Sequence, residues 1–259
     1  MLQNYDREKY ISIDPHVRKD LLRLFNKKDK LLILDIGGCE GEESIRYSRL
    51  FPLSKLYIFE PLPKNVQLIE NNLKRYKIKN VELVPKAVSD IVGVTEFYVS
   101  SGQPETIEVD WDFGNKSSSL LPPQEQNHPD WLKFVEKIKV ETITLESFFL
   151  SNKVEIVDFA HIDVQGAELR VLKGAKKHLK NIKSIWLEVA DIEIYKNQPL
   201  RSEVEEFMQD QGFYLARSFM NGSAGDQLYV NEKYFMIYSL FSKSYRLISR
   251  VLHKIKKFY

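Results

Sequence analysis

The chain has 259 residues, of which 43% are hydrophobic and 29% charged, with a formal net charge of +2. This length suits one large domain or two small ones, and the composition excludes collagen-like, low-complexity and wholly disordered chains. A single cysteine excludes a disulfide framework and any multi-cysteine metal site. The charge is uneven, since seven basic side chains and no acidic one follow Glu232, which leaves residues 1–232 with 31 basic against 36 acidic side chains. A mildly acidic body with a basic tail is not typical of a protein that coats nucleic acid.

Strands and helices alternate along the chain from residue 31 onward. Apolar runs predict strands at residues 31–36, 56–59, 81–84, 156–163, 182–189, 213–219 and 227–230. Apolar residues at helical spacing predict helices at residues 42–51, 63–77 and 167–179, with a further helix around Val204, Phe207 and Met208. Strands that are apolar without alternation are covered on both faces, so we predict a doubly wound α/β fold with a mostly parallel seven-stranded sheet.

The domain prediction has three parts. Residues 1–30 form a helical lead-in, residues 31–232 form the α/β domain, and residues 233–259 form a basic amphipathic helix. Within the domain, residues 102–135 interrupt the alternation with four prolines and a run of three serines. A long loop inside a compact domain is a lid, a binding loop or a disordered insertion, and these alternatives stay open.

A glycine-rich turn follows the first predicted strand. Residues 35–41 read D-I-G-G-C-E-G, and Glu60 follows the second predicted strand, 19 residues after Gly41. Doubly wound folds bind ligands beyond the carboxyl ends of their strands, where glycines allow close approach to the backbone. A carboxylate at the end of the second strand accepts hydrogen bonds from both ribose hydroxyls of an adenosine ligand. The pattern therefore predicts an adenosine-containing ligand.

The charges around this turn select among adenosine ligands. A phosphate loop requires a lysine, and the sequence has none between Asp35 and Lys55. The dinucleotide fingerprint requires glycine where Cys39 stands, and three glutamates would repel a pyrophosphate: Glu40, Glu42 and Glu43. S-adenosylmethionine (SAM) carries a sulfonium and an ammonium that suit acidic surroundings, so we predict SAM as the cofactor.

Four segments resemble the FkbM-type SAM-dependent methyltransferases. They are D-I-G at 35–37 with Gly41, F-E-P at 59–61, A-V-S-D at 87–90 with Gly93, and I-D-V-Q-G-A-E at 162–168 with L-K-G-A at 172–175. The last segment is the most specific, and the resemblance covers residues 31–232. It implies a Rossmann-like class I methyltransferase that methylates a hydroxyl of a sugar, a glycan or a small natural product.

The resemblance also implies roles for individual residues. The methionine part of SAM would lie against the turn that holds Asp35, Gly37, Gly38 and Gly41. Glu60, followed by Pro61, would hold the ribose. Ser89 and Asp90 would lie at the adenine edge, where a carboxylate accepts a hydrogen bond from the N6 amine. Asp163 would face the reacting centre.

The catalytic residues are expected at the ends of the fourth and fifth predicted strands. A hydroxyl is a poor nucleophile, so a base should help to remove its proton. We expect Asp163 to orient or deprotonate the acceptor, with support from His161 or Glu188, and the identity of the base stays open because Gln165 stands where the family commonly has Glu. No ligand-spacing motif predicts a metal site, and assistance by a divalent ion between Asp163 and Glu188 stays open as an alternative.

The basic tail predicts where the protein acts. Apolar residues at spacings of three and four place one apolar face and one cationic face on a helix over residues 236–259, which suits an anionic membrane surface. Packing on the body or on a second subunit is the alternative. Residues 1–16 show no apolar core of a signal peptide, so we expect a cytoplasmic protein, peripheral on the membrane if the tail binds lipid.

Two other functions stay open at this stage. One is an NAD(P)-dependent oxidoreductase, which Cys39 and the glutamates disfavour. The other is a non-catalytic SAM-fold scaffold that the tail recruits to membranes. We expect a small-molecule or glycan hydroxyl acceptor and no nucleic-acid partner, and the sequence predicts no oligomeric state.

Overall fold

The structure is a computed structural model, and it describes residues 6–104 and 111–235. Its α-helices are α1 (Arg7–Ser12), α2 (Arg18–Leu24), α3 (Glu42–Leu50), α4 (Pro63–Arg75), α5 (Leu145–Ser151), α6 (Glu168–Gly174) and α7 (Arg201–Asp210), with 3-10 helices at Phe113–Ser117 and Lys176–Asn181. Its strands are β1 (Leu32–Ile36), β2 (Lys55–Phe59), β3 (Val81–Val84), β4 (Ala87–Val88), β5 (Gly93–Ser101), β6 (Lys133–Ile143), β7 (Val157–Ile162), β8 (Ile182–Ala190), β9 (Phe213–Asn221) and β10 (Ala224–Asn231).

The predicted seven-stranded sheet is confirmed. Its strand order is β3-β2-β1-β7-β8-β10-β9, and every neighbouring pair is parallel except those that β10 makes with β8 and β9. The chain leaves β1 toward β2 and β3 on one side and returns through β7 on the other. The order therefore reverses between β1 and β7, and ligands of doubly wound sheets bind at such a switch point.

Helices cover both faces of this sheet. Alternate residues of β1 face opposite ways, so Ile33 packs with α2 and α3, whereas Leu34 and Ile36 pack with α5 and α6. All three side chains are fully buried. This two-sided burial is the reason that the strand reads as an unbroken apolar run in the sequence.

A second sheet was not predicted. Strands β4, β6 and β5 form a three-stranded sheet in that order, with β5 and β6 antiparallel. These strands alternate between exposed residues such as Val94 and buried residues such as Phe97 and Val140, so they lack the apolar runs of the main sheet. The predicted loop at 102–135 therefore ends at Lys133, where β6 begins.

One predicted helix is shorter in the structure than the sequence indicates, and another lies outside the described residues. The helix predicted over residues 167–179 ends at Gly174 and is followed by a 3-10 helix, because Lys176 adopts a left-handed conformation with φ of 47° that a right-handed α-helix cannot include. The lead-in folds as α1 and α2, whereas the predicted tail helix over 236–259 lies outside the described residues. Among the helices that the structure describes, none is both long and apolar enough to cross a membrane.

The ends of β1 and β7 meet in one tight contact. The Asp163 amide donates to the Ile36 carbonyl at 2.9 Å, which extends the pairing of the two strands by one residue. Gly37 follows with φ of +88°, and a Cβ at this position would lie 1.8 Å from the Asp163 carbonyl oxygen. Only glycine therefore fits between the turn and the backbone that carries Asp163.

We expect Gly37→Ala to lower the free energy of unfolding more than Gly212→Ala does. Gly212 has nearly the same φ, +83°, but a Cβ there would meet nothing within 4 Å. Backbone strain alone should destabilise Gly212→Ala by about 1–2 kcal/mol, and the clash should add about 1–3 kcal/mol or more at Gly37. Urea unfolding measures both values, and equal losses would contradict the tight contact.

Candidate functional site

Two adjoining cavities lie beyond the carboxyl ends of β1, β2 and β7. The first is lined by both apolar and polar residues, and the buried Glu60 and Asn65 are among the polar ones. The apolar wall is formed by Pro61, Ala87, Val88, Phe97 and Leu120. An apolar slot that includes a buried carboxylate has the chemical character that a nucleoside requires, with the base against apolar side chains and hydroxyls at the carboxylate.

Glu60 is held by backbone amides at the end of β2. Its Oε2 accepts from the Cys39 amide at 3.0 Å and its Oε1 accepts from the Leu62 amide at 2.9 Å. Burial raises the pKa of Glu60 to about 8, against an ordinary value of 4.5. Each carboxylate oxygen has a further lone pair, so both can still accept a hydrogen bond from a ligand.

The second cavity is strongly acidic and has a volume of about 180 Å³. Five carboxyl groups line it, from Asp35, Glu42, Glu43, Asp163 and Asp226. Asp35 accepts from the Ser44 hydroxyl at 2.6 Å, and burial raises the pKa of Asp35 to about 6. This excess of carboxylates favours a cationic ligand, as the sequence analysis predicts.

The two cavities meet at four residues that line both of them: Gly37, Cys39, Lys116 and Asp163. Lys116 pairs with Glu42, its Nζ lying 3.2 Å from the Glu42 carboxylate, and its ammonium lies over the Trp111 ring. A ligand that extends from one cavity into the other would therefore pass beside Asp163 and Lys116.

Residues 111–120, here called the covering segment, close over the first cavity. Asn115 donates to Asn65 at 2.7 Å and to Glu40 at 3.3 Å, and the Trp111 indole donates to Glu40 at 3.2 Å. Arg7 of α1 forms an ion pair with the same glutamate. With the segment in this position the first cavity encloses only about 40 Å³. The sequence analysis predicts a loop here but none of these contacts, because nothing in the chain indicates which residues they join.

A group of carboxylates lies beside Asp163 where β7 leads into α6. Carboxylate oxygens of Asp163, Glu168 and Glu188 lie within 4.8 Å of one another. The Gln165 amide nitrogen donates to Asp163 at 2.7 Å and to Glu188 at 3.0 Å, so a hydrogen-bond donor already lies between these two acids. Burial raises the pKa of Glu168 to about 7, and Glu168 accepts from the backbone amides of Val164 and Gly166.

The three predicted catalytic residues differ from one another in their position relative to the two cavities. Asp163 lines both cavities, and His161 lines the second cavity, with Nδ1 3.6 Å from an Asp35 oxygen and 3.4 Å from the Tyr47 hydroxyl. Glu188 lines neither cavity and is joined to Asp163 through Gln165, and burial raises the pKa of Glu188 well above the ordinary value. A direct role for Glu188 therefore stays a prediction.

The predicted cofactor residues also divide into two groups. Those that line one or both cavities are Asp35, Gly37, Gly38, Glu60 and Pro61. Gly41 has φ of +87° and is the N-cap of α3, so it shapes the turn. Asp90 is exposed, and the Ser89 carbonyl packs against Gly174 of α6, while the wall of the first cavity reaches Ala87 and Val88. An adenine contact by Ser89 or Asp90 stays a prediction.

Comparisons with known proteins identify the family. The profile of the family described as "Methyltransferase FkbM domain" matches residues 35–215, so the chain belongs to the FkbM methyltransferase family. The protein is accordingly a methyltransferase, and its cofactor is SAM. The predicted family and cofactor are thus confirmed, and the class fits the apolar slot, the buried Glu60 and the acidic second cavity.

Individual known proteins are also similar to this chain. The 2-O-methyltransferase NoeI of Sinorhizobium fredii (strain NBRC 101917 / NGR234) is 32% identical over 219 residues, which cover 84% of this chain and 86% of NoeI. Methyltransferase sdnD of Sordaria araneosa is 23% identical over 197 residues, 71% of this chain and 74% of that protein. Among solved structures, the precorrin-6y C5,15-methyltransferase from Geobacter metallireducens GS-15 is 15% identical with a TM-score of 0.46, covering 83% of this chain and 86% of that one.

We expect Glu60→Gln to remove a pH dependence of stability. Because the pKa of Glu60 in the folded protein, about 8, exceeds the ordinary 4.5, its contribution to stability is full below pH 4.5 and is lost as the pH rises through 8. The cofactor-free wild type should therefore lose stability relative to the variant over this range, on the order of a few kcal/mol.

Thermal unfolding of the cofactor-free proteins at several pH values measures this difference. The amide of the variant faces a backbone N–H and adds an offset that does not depend on pH, so the slope is the test. Glu155→Gln, at an exposed position, is the control and should leave the slope unchanged. Parallel curves for Glu60→Gln and the wild type would contradict the burial of an ionisable Glu60.

Proposed function

We propose that the protein transfers a methyl group from SAM to a hydroxyl oxygen of a sugar, a glycan or a small natural product. The observation that carries this proposal is the position of Asp163, which lies where the two cavities meet. NoeI, which is 32% identical to this chain over most of both lengths, is named a 2-O-methyltransferase, and this supports transfer to oxygen.

The residues present fit SAM on both sides of the junction. Glu60 would accept from the ribose hydroxyls, and the adenine would lie against Pro61, Ala87 and Val88. Asp35 and the glycine turn would hold the methionine part, whose ammonium suits an acidic cavity. Because the first cavity is smaller than a nucleoside, we expect the covering segment to move outward when the cofactor enters.

Methyl transfer to a hydroxyl requires that the acceptor oxygen be aligned with the methyl group of SAM and that the hydroxyl lose its proton. When bound, SAM supplies a methyl group that its sulfonium activates for displacement. Holding the acceptor in line contributes up to ~7–11 kcal/mol to such a reaction. Asp163 accepts the proton that the acceptor hydroxyl loses, and His161 lies on the same side of β7, two residues earlier, where it lines the acidic cavity.

Replacement of Asp163 by Asn tests this role. Asn has the same shape and still offers an oxygen to Gln165, so we expect the affinity for S-adenosylhomocysteine, which lacks the sulfonium charge, to stay within about threefold while methyl transfer falls by roughly 10²–10⁴-fold, the typical contribution of general-base catalysis. Calorimetric titration with SAM, S-adenosylhomocysteine and NAD measures binding. Transfer of labelled methyl groups to a panel of oligosaccharides and hydroxylated small molecules measures turnover.

Asp210→Asn, at the exposed end of α7, is the control and should behave as the wild type. Full activity of Asp163→Asn would remove Asp163 from the mechanism. Binding of NAD in place of SAM would favour an oxidoreductase. Binding of SAM by the wild type with no transfer to any acceptor would favour a scaffold.

We also propose that the basic tail brings the protein to an anionic membrane surface, where lipid-linked glycans are natural acceptors. The support is the sequence pattern over residues 236–259, whose charged side chains are all basic. We expect the full chain to sediment with anionic liposomes at low salt and the chain that lacks residues 236–259 to stay in the supernatant. Equal sedimentation of the two would contradict the proposal.

A further inference from the structure

Gln165 occupies the centre of the carboxylate group and has no assigned role so far. It lies in the turn between β7 and α6 with a left-handed φ of 55°, a conformation that a non-glycine residue adopts rarely. From this position its side-chain nitrogen donates to Asp163 Oδ1 at 2.7 Å and to Glu188 Oε2 at 3.0 Å. One amide therefore uses both of its N–H groups on two acids, Asp163 directly after β7 and Glu188 in β8.

The orientation of this amide is fixed from the other side. The Gln165 side-chain oxygen accepts from the Tyr195 hydroxyl at 3.0 Å, and that hydroxyl also lies 2.8 Å from the Ser117 carbonyl. The Ser119 hydroxyl donates to the Gln165 backbone carbonyl at 2.6 Å. Because Tyr195 is fully buried, its hydroxyl has a fixed place, and exchange of the amide nitrogen and oxygen would turn the amide oxygen toward the two acids and remove both donated bonds.

The surroundings make such a donor necessary. Burial raises the pKa of Glu188 well above its ordinary value, and the neighbouring Asp163 raises it further. Asp226, opposite Glu188 in the pairing of β10 with β8, has a pKa that burial raises to about 6. The charged groups that face the pair or its neighbours are Glu168 on α6, Asp226 on β10, His161 on β7 and Glu43 on α3.

We propose that Gln165 is a positioning residue that holds Asp163 at the junction of the cavities by bridging it to Glu188, with its own orientation fixed by Tyr195. A carboxylate in place of the Gln165 amide could only accept hydrogen bonds, and an apolar side chain could neither donate nor accept. In either case Asp163 and Glu188 would face each other without a donor between them. The inference rests on the proposed role of Asp163. The hydrogen bonds of Gln165 also connect the covering segment, through Ser117 and Ser119, to Asp163.

The first test needs neither cofactor nor acceptor. Gln165→Met keeps the length of the side chain and removes the donor, so Glu188 should ionise at a greater cost. Acids whose pKa is raised in the folded state contribute stability at low pH and lose it as the pH rises. We therefore expect the melting temperature of Gln165→Met to fall further below that of the wild type at pH 8 than at pH 5.

Gln124→Met is the matched control. Gln124 also donates from its side chain to a carboxylate, Glu193, at 2.8 Å, but at an exposed site outside the cavities. It should shift the melting temperature equally at both pH values. The same constant shift for Gln165→Met would mean a merely structural role and would overturn the proposal.

The second test compares SAM with neutral S-adenosylhomocysteine by calorimetry from pH 5 to 9. Glu188, whose pKa burial raises, adds negative charge near the sulfonium when it ionises, so the preference for SAM should grow with pH in the wild type. In Gln165→Met the rise should occur at a higher pH. Tyr195→Phe, which leaves Gln165 in place but frees its amide, should move the rise in the same direction by a smaller amount.

The outcomes separate this inference from the proposed function. If Gln165→Met does not fold, the Tyr195→Phe curve decides, and a curve equal to the wild type overturns the proposal. If Gln165→Met folds but its SAM preference rises at the same pH as in the wild type, the proposal is also overturned. Absence of methyl transfer by the wild type would count against the proposed acceptor class, whereas the pH dependence of melting would still report on Gln165.

Discussion

The contact between Gly37 and the Asp163 backbone is the constraint on which the site depends. The parallel strands β1 and β7 end side by side at the switch point of the sheet. The turn that follows β1 contacts the backbone that follows β7. Glycine is required because a Cβ would lie 1.8 Å from the Asp163 carbonyl oxygen. The glycine turn that we propose for the cofactor and the proposed catalytic Asp163 are thereby fixed to each other by backbone atoms. Methyl transfer requires this fixed relation, since its rate depends on alignment.

Around this contact the chain concentrates acids that water does not fully solvate. Burial raises the pKa of Asp35 and Asp226 to about 6, of Glu168 to about 7 and of Glu60 to about 8. Such an arrangement is unfavourable in the free protein and becomes favourable when a cation enters. Part of the acidity of residues 1–232 is thus gathered in one cavity, where we propose that the cationic part of the cofactor binds.

The sequence predicted the parts of the site that lie at or directly after the carboxyl ends of strands. Asp35, Glu60 and Asp163 could be placed because apolar runs locate parallel strands and the carboxyl ends of such strands share one edge. The seven-stranded sheet followed from the same signal. The second sheet did not, because β5 and β6 alternate in burial and flank a segment rich in proline, so neither shows an apolar run.

The remaining contacts depend on tertiary structure. Trp111, Asn115 and Lys116 reach the cavities from a loop, and a loop sequence does not indicate which strand it covers. Arg7 comes from the first helix and contacts the same glutamate as Trp111. Gln165 could be located in its motif, but its two-sided bridge requires Glu188 and Tyr195, which lie 23 and 30 residues further along the chain. Long-range pairs of this kind become visible only when the fold is known.

The central claim is that one cofactor spans both cavities and presents its reactive end to Asp163. A crystal structure with S-adenosylhomocysteine tests this most directly. The account predicts that the ribose hydroxyls bind Glu60, that the methionine part lies in the acidic cavity beside Asp35, and that the sulfur faces Asp163 at the junction. A cofactor whose ribose lies away from Glu60, or whose sulfur is turned away from Asp163, would contradict it.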